Sequence, residues 1–435
     1  MGQRAAWSTV VEVLQLFSSV LVFILLARLM TKEEYGTMTA VFGALAPVVG
    51  LSTFGSHVLL LRRTAQGEEL GAVFKRVTST VILGPAVFSA LMILLQPLIL
   101  PSVDPWIYGM LMVGQLNLYL AAEFTVFLGN ATRRMKEAAH IRAILVACRF
   151  VALGWFAFFT ERTLFEWVLL SLIFFGLAAV LAYLYVWRVF GIVPSIRHGS
   201  LSDAREGLPY SVSSVTESFV DMSDRPLLER YGHTEDVAIY GVGARIVAFG
   251  YLPIRVLLRS SDADIFEAAE RGMRSTWAAT RKLMVPGLLI GLGTGVGLWI
   301  TAPLVELLAG SGYEEAIATI RLLAVLPAIR AVQYLIGNCL SAARRQPWRL
   351  GATAAAAAVN FGLNLVYLVN GSWRTAVYTT FVSEIFLTVV MLIIVMWLSH
   401  VEKPGPAIDT RDRSPSPDVD LDDAGLQSTL QGREP

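Results

Sequence analysis

The sequence predicts an all-α integral membrane protein of about twelve transmembrane helices in two lobes, six per lobe. Three observations carry this prediction. The 435-residue chain is 55% hydrophobic and only 16% charged, whereas soluble domains average about 25% charged. Its mean hydropathy is +0.60. Apolar stretches close to the roughly 20 residues that hydrocarbon demands recur along the chain. They fall at 7–29, 37–61, 77–99, 106–128, 139–159, 164–187, 209–231, 237–254, 283–305, 316–341, 350–368 and 375–398.

The connections test each stretch in turn. Lys and Arg gather on the cytoplasmic side of membrane proteins. Alternate connections hold Arg62, Arg63, Lys75 and Arg76; Arg133, Arg134 and Lys136; Arg188, Arg197 and Arg205; Arg259, Arg271, Arg274, Arg281 and Lys282; and Arg344, Arg345 and Arg349. Those between are mainly acidic: Glu33 and Glu34, Asp104, Glu161, Glu235 and Asp236, Glu314 and Glu315. One missed or added span would scramble this order. The expected location is the cell (plasma) membrane, multi-pass, with both termini cytoplasmic. The first stretch is too long for the apolar region of a signal peptide, about 7–15 residues, and lacks a cleavage-type ending, so it reads as a retained span.

This map divides the chain into an N-lobe (1–190), a cytoplasmic inter-lobe linker (191–208), a C-lobe (209–400) and a cytoplasmic tail (401–435). The tail is rich in Asp, Pro, Ser and Gly without aromatics, a composition expected to be disordered. Cys148 and Cys339 sit in apolar runs and read as small core residues. Five histidines without paired spacing support no metal site. There is no P-loop pattern, so no ATP use is expected. Asp262-Ala263-Asp264 matches a short sugar-nucleotide enzyme pattern, but no nucleotide-binding domain surrounds it; 260–274 reads as an amphipathic helix on the cytoplasmic surface. No nucleic-acid partner and no enzyme activity are expected.

The seventh stretch departs from the rest. Glu217, Asp221 and Asp224 lie at i, i+4 and i+7, which would place three carboxylates on one face of a helix. A charge in hydrocarbon costs about 2.5–3.5 kcal/mol on insertion scales, so such groups normally face a protein interior or a watery cavity and mark a substrate or ion path. Pro226 removes a backbone donor just beyond them. A bent helix with free carbonyls and carboxylates can hold Na⁺ or carry a proton. Glu384, mid-way along the twelfth stretch, could join them.

The chain also repeats itself. Arg28-Leu29-Met30-Thr31-Lys32-Glu33-Glu34-Tyr35-Gly36 has a counterpart in Arg230-Tyr231-Gly232-His233-Thr234-Glu235-Asp236 followed by Tyr240-Gly241. Six spans per half make this a parallel repeat, with a site expected between the lobes near the membrane midplane. The first of these turns, Leu26-Ala27-Arg28-Leu29 … Glu34-Tyr35-Gly36, resembles the first hairpin of Wzx-type polysaccharide flippases of the multidrug/oligosaccharidyl-lipid/polysaccharide (MOP) exporter superfamily. Asp224-Arg225 … Tyr240-Gly241-Val242-Gly243-Ala244-Arg245, Ala302-Pro303 … Gly312-Tyr313-Glu314-Glu315 and Asn338 … Arg344-Arg345 … Asn360-Phe361-Gly362-Leu363-Asn364 are similar to later segments of the same family. The resemblance covers roughly 5–400. It implies a MATE-like fold, a central cavity and alternating access that moves a lipid-linked sugar from the cytoplasmic to the outer leaflet.

Such a cargo has a lipid tail, a phosphate or diphosphate and a glycan. The tail can stay in lipid, but the head needs a hydrated groove with cations. Arginine suits phosphate because its planar fork binds in two places and stays charged. Depth along the helices selects Arg149, Arg245 and Arg330, with Arg28 at the outer end of the first span, as cavity cations. Glu217, Asp221, Asp224, Glu384 and Glu123 are the candidates for ion coupling or gating. Two internal pairings compete with the cavity role of the arginines, as ties between neighbouring spans or as a gate: Glu123 with Arg142 or Arg149, and Asp221 with Arg245. The expected partners are a lipid (di)phosphate-linked glycan, membrane lipid and glycan-assembly enzymes. Alternatives are an H⁺- or Na⁺-coupled multidrug or small-molecule antiporter of the same superfamily, and a membrane glycan polymerase or glycosyltransferase. The first should carry less arginine in its cavity. The second should carry a large extracellular loop or a cytoplasmic catalytic domain, which this sequence does not show.

Overall fold

A computed structural model describes residues 2–195 and 201–401. The described residues form helices and short connections, with no strand among them. Twelve helical rods follow one another: Gly2–Leu29, Lys32–Ala65, Leu70–Ile99, Pro105–Ala131, Met135–Phe159, Leu164–Phe190, Leu201–Met222 with Asp224–Arg230, Thr234–Phe249 with Leu252–Ala269, Met273–Thr301, Glu314–Leu323 with Leu326–Ala342, Gln346–Tyr367, and Trp373–Val401. They are numbered here as spans one to twelve. Among the described residues, nine helices are long and apolar enough to cross a membrane. Spans one, seven and ten fall outside that group, and they carry much of the polar interior described below. Large side chains such as Leu94, Leu98, Phe158 and Val366 point outward, as expected of a multi-pass membrane protein surrounded by lipid.

Several spans start and stop on local chemistry. Thr31 and Glu34 form a capping box at the start of span two, and Thr163 and Glu166 form another at span six; each satisfies backbone donors that a helix start leaves free. Glu34 also accepts from the Leu164 backbone N–H at 2.9 Å, tying the two starts together. Span four contains a π-helical stretch, Val113–Tyr119. Such wide turns shift the register of the residues beyond them and recur at functional sites. Here Glu123 follows it, and its carboxylate meets Gln15 of span one and Arg142 of span five.

The two lobes meet along a seam of backbone contact. Gly36, Gly43 and Gly50 recur every seven residues on span two and face the C-lobe. A methyl group on Gly43 would stand 2.8 Å from the Pro226 ring, and one on Gly50 2.8 Å from the Ser214 hydroxyl. Small residues at such spacing let helices approach closely. The repeated Tyr-Gly pairs take part in this contact: Gly36 abuts the Thr234 backbone, and Gly241 abuts Thr39. Span two then breaks at Phe54 and Gly55, both left-handed (φ 48° and 62°). Its continuation, Ser56–Ala65, crosses span seven where Gly55 meets Gly207. Beyond the crossing, the Arg63 guanidinium donates to Asp203 and Glu206, each at 2.7 Å.

The ends of the bundle differ. At the end with the acidic connections, the lobes are tied at several places. Arg28 donates to the Leu307 carbonyl at 2.8 Å, Lys32 lies 3.8 Å from Glu235, and Ser102 donates to Glu229 at 3.3 Å. Tyr35 and Tyr313 meet edge to face, and Arg230 donates to the Leu98 carbonyl. At the arginine-rich end span two is tied to span seven through Arg62 and Arg63. There the first half of span one packs on span five, and the second half of span eight packs on spans nine and ten.

Three expectations change. The linker assigned to 191–208 is helical from Leu201 onward, with 196–200 outside the described residues. The surface helix assigned to 260–274 is instead the continuation of span eight to Ala269, followed by a short turn into span nine at Met273. Hydropathy could not reveal this, because a helix that leaves the hydrocarbon keeps its hydrogen bonds while its composition turns polar. Span seven is broken at Ser223, so Glu217, Asp221 and Asp224 do not share one continuous helical face. The cause is Pro226, which cannot donate to the carbonyl four residues back. The tail beyond Val401 lies outside the described residues.

Candidate functional site

Two groups of arginines occupy the interior, and their surroundings are opposite. The first group lies between the lobes. Phe23 of span one sits beneath Arg245 of span eight, whose guanidinium carbon is 3.5 Å from the ring centroid. Arg149 of span five approaches the same ring at 5.8 Å and the Tyr119 ring at 5.9 Å. Arg149 donates to the Ser19 hydroxyl at 3.3 Å. Neither Arg149 nor Arg245 has a carboxylate within ion-pair distance among the described residues. Arg225 extends the group from span seven, 5.9 Å from the Tyr240 ring. The Nε groups of Arg149 and Arg225 are buried without a partner. A cation over an aromatic face gains about 0.5–2 kcal/mol, far less than the cost of desolvating a full charge. Donors left open in this way are suited to an anion supplied from outside.

The second group lies inside the C-lobe, around a cavity of about 320 Å³. Arg330 of span ten is its centre. It donates to Asp221 of span seven at 2.5 Å and to Glu384 of span twelve at 2.5 and 3.0 Å, and it lies 4.9 Å from the Tyr251 ring. Gln333 donates to the second Glu384 oxygen at 2.8 Å, which completes that buried carboxylate. Nearer the mouth, Arg349 donates to Glu217 at 2.8 Å. Behind the wall, Asn360 bridges Ser223, Ser383 and Asn364, and Thr379 donates to Asn364 at 2.5 Å. Buried polar groups joined this way hold spans seven, eleven and twelve in register.

Each predicted residue now has a place. Arg149 and Arg245 come together between the lobes. Arg330 lines a cavity, but two carboxylates neutralise it, so it offers no free positive charge. Arg28 is no cavity cation: its guanidinium ties span one to the short helix Leu304–Ala309 at the acidic end, where a side-chain donor satisfies a terminal carbonyl. The alternative pairing of Asp221 with Arg245 does not form, because Arg245 turns to Phe23 while Asp221 turns to Arg330. Glu123 pairs with Arg142 through both oxygens, which leaves Arg149 free. Asp224 is 1% exposed and sits beside Arg225 and Tyr240, outside the lining of the C-lobe cavity that Glu217 and Asp221 share.

Sequence reasoning missed Phe23, Arg225, Gln333 and Arg349. Phe23 has no signal within an apolar run. Arg349 reads as a loop residue because span eleven starts at Gln346, ahead of its apolar portion.

Comparison with known proteins agrees with this architecture. The family model described as polysaccharide biosynthesis protein matches residues 1–252. A search of curated protein sequences finds no match. Among solved structures, an inward-facing multidrug resistance MATE family transporter of the MOP superfamily aligns with TM-score 0.72 and 14% identity, over 92% of this chain and 100% of that one. The lipid II flippase MurJ in an inward closed conformation aligns with TM-score 0.63 and 10% identity, over 91% and 88%. A MOP superfamily transporter from Pyrococcus furiosus, described by the reverse polarity of its binding pocket, aligns with TM-score 0.60 and 15% identity, over 89% and 94%. The fold is that of MOP superfamily transporters and flippases, and the chain belongs to the polysaccharide biosynthesis protein family.

Proposed function

We propose that the protein is a flippase that carries a lipid-linked oligosaccharide or polysaccharide repeat unit from the cytoplasmic to the outer leaflet by alternating access. The observation that carries this reading is the pair of guanidinium groups, Arg149 and Arg245, held on Phe23 between the lobes without a carboxylate partner. A lipid phosphate or diphosphate is the anion that a membrane can deliver sideways to such a place, and arginine grips it in two directions at once. In this reading the arginine-rich end and both termini are cytoplasmic, in keeping with the charge bias of the connections. The lobes are tied at the acidic end, so the state described here receives the head from the cytoplasmic side. Glycan-assembly enzymes that supply the loaded lipid are the expected functional neighbours.

The same reading assigns Na⁺ or H⁺ coupling to the C-lobe. Of the two acids that share Arg330, Asp221 is 42% exposed and Glu384 is 2% exposed. Asp221 is therefore the acid that an entering cation would take from Arg330 as the lobes rock. An antiporter for cationic drugs would need acids free in its cavity, and here Arg330 and Arg349 already occupy them.

The test is lipid flipping in proteoliposomes, with a fluorescent diphosphate-linked glycolipid as cargo. Arg245→Ala is expected to abolish flipping while the protein stays folded and monodisperse. Wild-type flipping by that variant would remove Arg245 from the substrate path and the reading with it.

A further inference from the structure

The inter-lobe arginines account for a phosphate, but not for the polar cavity of about 320 Å³ inside the C-lobe. We infer that this cavity is a saccharide subsite, taking uncharged sugar rings of the cargo while its phosphate stays on the inter-lobe arginines. The inference rests on the flippase reading and adds to it where the glycan goes.

The wall chemistry selects the ligand. Glu217, Asp221 and Glu384 face Arg255, Arg330 and Arg349, so its formal charges cancel. A phosphate would meet three carboxylates, and of the three arginines only Arg255 lies outside an ion pair among the described residues, because Arg330 and Arg349 are already held by those acids. A bare cation has to take Asp221 from Arg330, the exchange assigned above to ion coupling, and one ion does not account for the rest of the cavity. An apolar molecule would strip water from these charges and return no hydrogen bonds. A sugar hydroxyl both donates and accepts, so it can bridge a carboxylate and a guanidinium without breaking the pair. The ion pairs fix the side chains in advance, which lowers the entropy lost on binding. Tyr334 lines the cavity and meets Tyr251 edge to face, offering ring surface to the apolar face of a pyranose. The volume stands at the lower end of ligand sites, roughly 300–1,000 Å³.

The position fits as well. A smaller cavity of about 90 Å³ runs beside Arg225, Tyr240, Ala244 and Ala248, and it shares Val220, Asp221 and Arg330 with the larger one. The smaller cavity therefore links Arg225, the span-seven member of the inter-lobe group, to the C-lobe cavity.

The experiment uses the full chain in nanodiscs and two kinds of probe with the same alkyl chain. One kind is a panel of neutral glycosides (glucoside, galactoside, N-acetylglucosaminide); the other is the alkyl diphosphate. Binding is read by calorimetry on wild type, Leu258→Trp and Arg245→Gln. Leu258 lines the larger cavity, and an indole there would fill it. At least one glycoside is expected to bind wild type saturably and to weaken by about tenfold or more in Leu258→Trp, a change of about 1.4 kcal/mol. Diphosphate binding should survive in Leu258→Trp, which also reports that the variant is folded, and should fail in Arg245→Gln. If the indole prevents folding, Leu258→Phe takes its place. Glycoside binding that ignores both substitutions, or is absent while diphosphate still depends on Arg245, overturns the saccharide subsite and leaves the flippase reading standing. Absence of both kinds of binding in wild type overturns the flippase reading itself.

Discussion

Arg245 and Arg330 are both arginines in the interior of a membrane protein, yet one is open and the other is satisfied. Arg245 has an aromatic ring for company, and Arg330 has two carboxylates, an amide behind them and a tyrosine face. The difference is one of residual charge. Between the lobes the protein keeps a cation whose desolvation no carboxylate among the described residues offsets, which is the place the proposed function gives to an anion from outside. Inside the C-lobe the charges are balanced, and removing either partner strands the other. A buried arginine is therefore not evidence for a binding site until its partners are known.

The contrast can be broken by substitution, and the largest effect expected is on transport. Arg149→Ala in the N-lobe should reduce flipping by a hundredfold or so, a loss of about 2.7 kcal/mol from one charge-assisted contact, with little change in melting temperature. Flipping assays alongside thermal unfolding separate the two outcomes. The reverse is expected of Arg330→Ala. It leaves Glu384 buried without its cation, a class of change that costs about 3–5 kcal/mol, and should appear first as a loss of folded protein. Adding Glu384→Gln to Arg330→Ala should restore part of that stability, because the stranded charge is gone. A smaller effect is expected of Asp221→Asn: flipping continues, but its response to a Na⁺ or pH gradient changes, and an unchanged gradient dependence would take span seven out of coupling. The smallest belongs to Arg63→Gln at the arginine-rich end. Arg63 and Asp203 are almost fully buried there, so the loss should loosen the lobes at that end, seen as a broadened distance distribution between spin labels on spans two and seven, with flipping retained.

Much of the fold was legible before any coordinates. The twelve spans follow from apolar length and the alternating sign of their connections, because hydrocarbon imposes both. The helix ends were less legible: Arg62, Arg63 and 260–269 continue their spans in polar sequence, and hydropathy is silent outside the bilayer. The site was legible in depth but not in direction. Asp221 and Arg245 lie at similar depths, yet Ala244 and Ala248 line the smaller cavity while Arg245 faces Phe23. Rotation about a helix axis is set by the packing of neighbours, and no single span records it. The pairing of Glu123 with Arg142 could be anticipated because spans four and five are adjacent in sequence. The pairing of Arg330 with Asp221 could not, because spans seven and ten meet only in the folded bundle.

The glycines that repeat every seven residues along span two have a mechanical consequence. Where main chain rests on a neighbouring helix with little side chain between, a carbonyl or a proline ring already fills the place of a missing β-carbon, and any lengthwise slip would drive it into the side chains on either side of the glycine. Rolling about that line encounters no such obstacle. Span two thus works as an axle, and a bundle with an axle on one flank can gape only on the other.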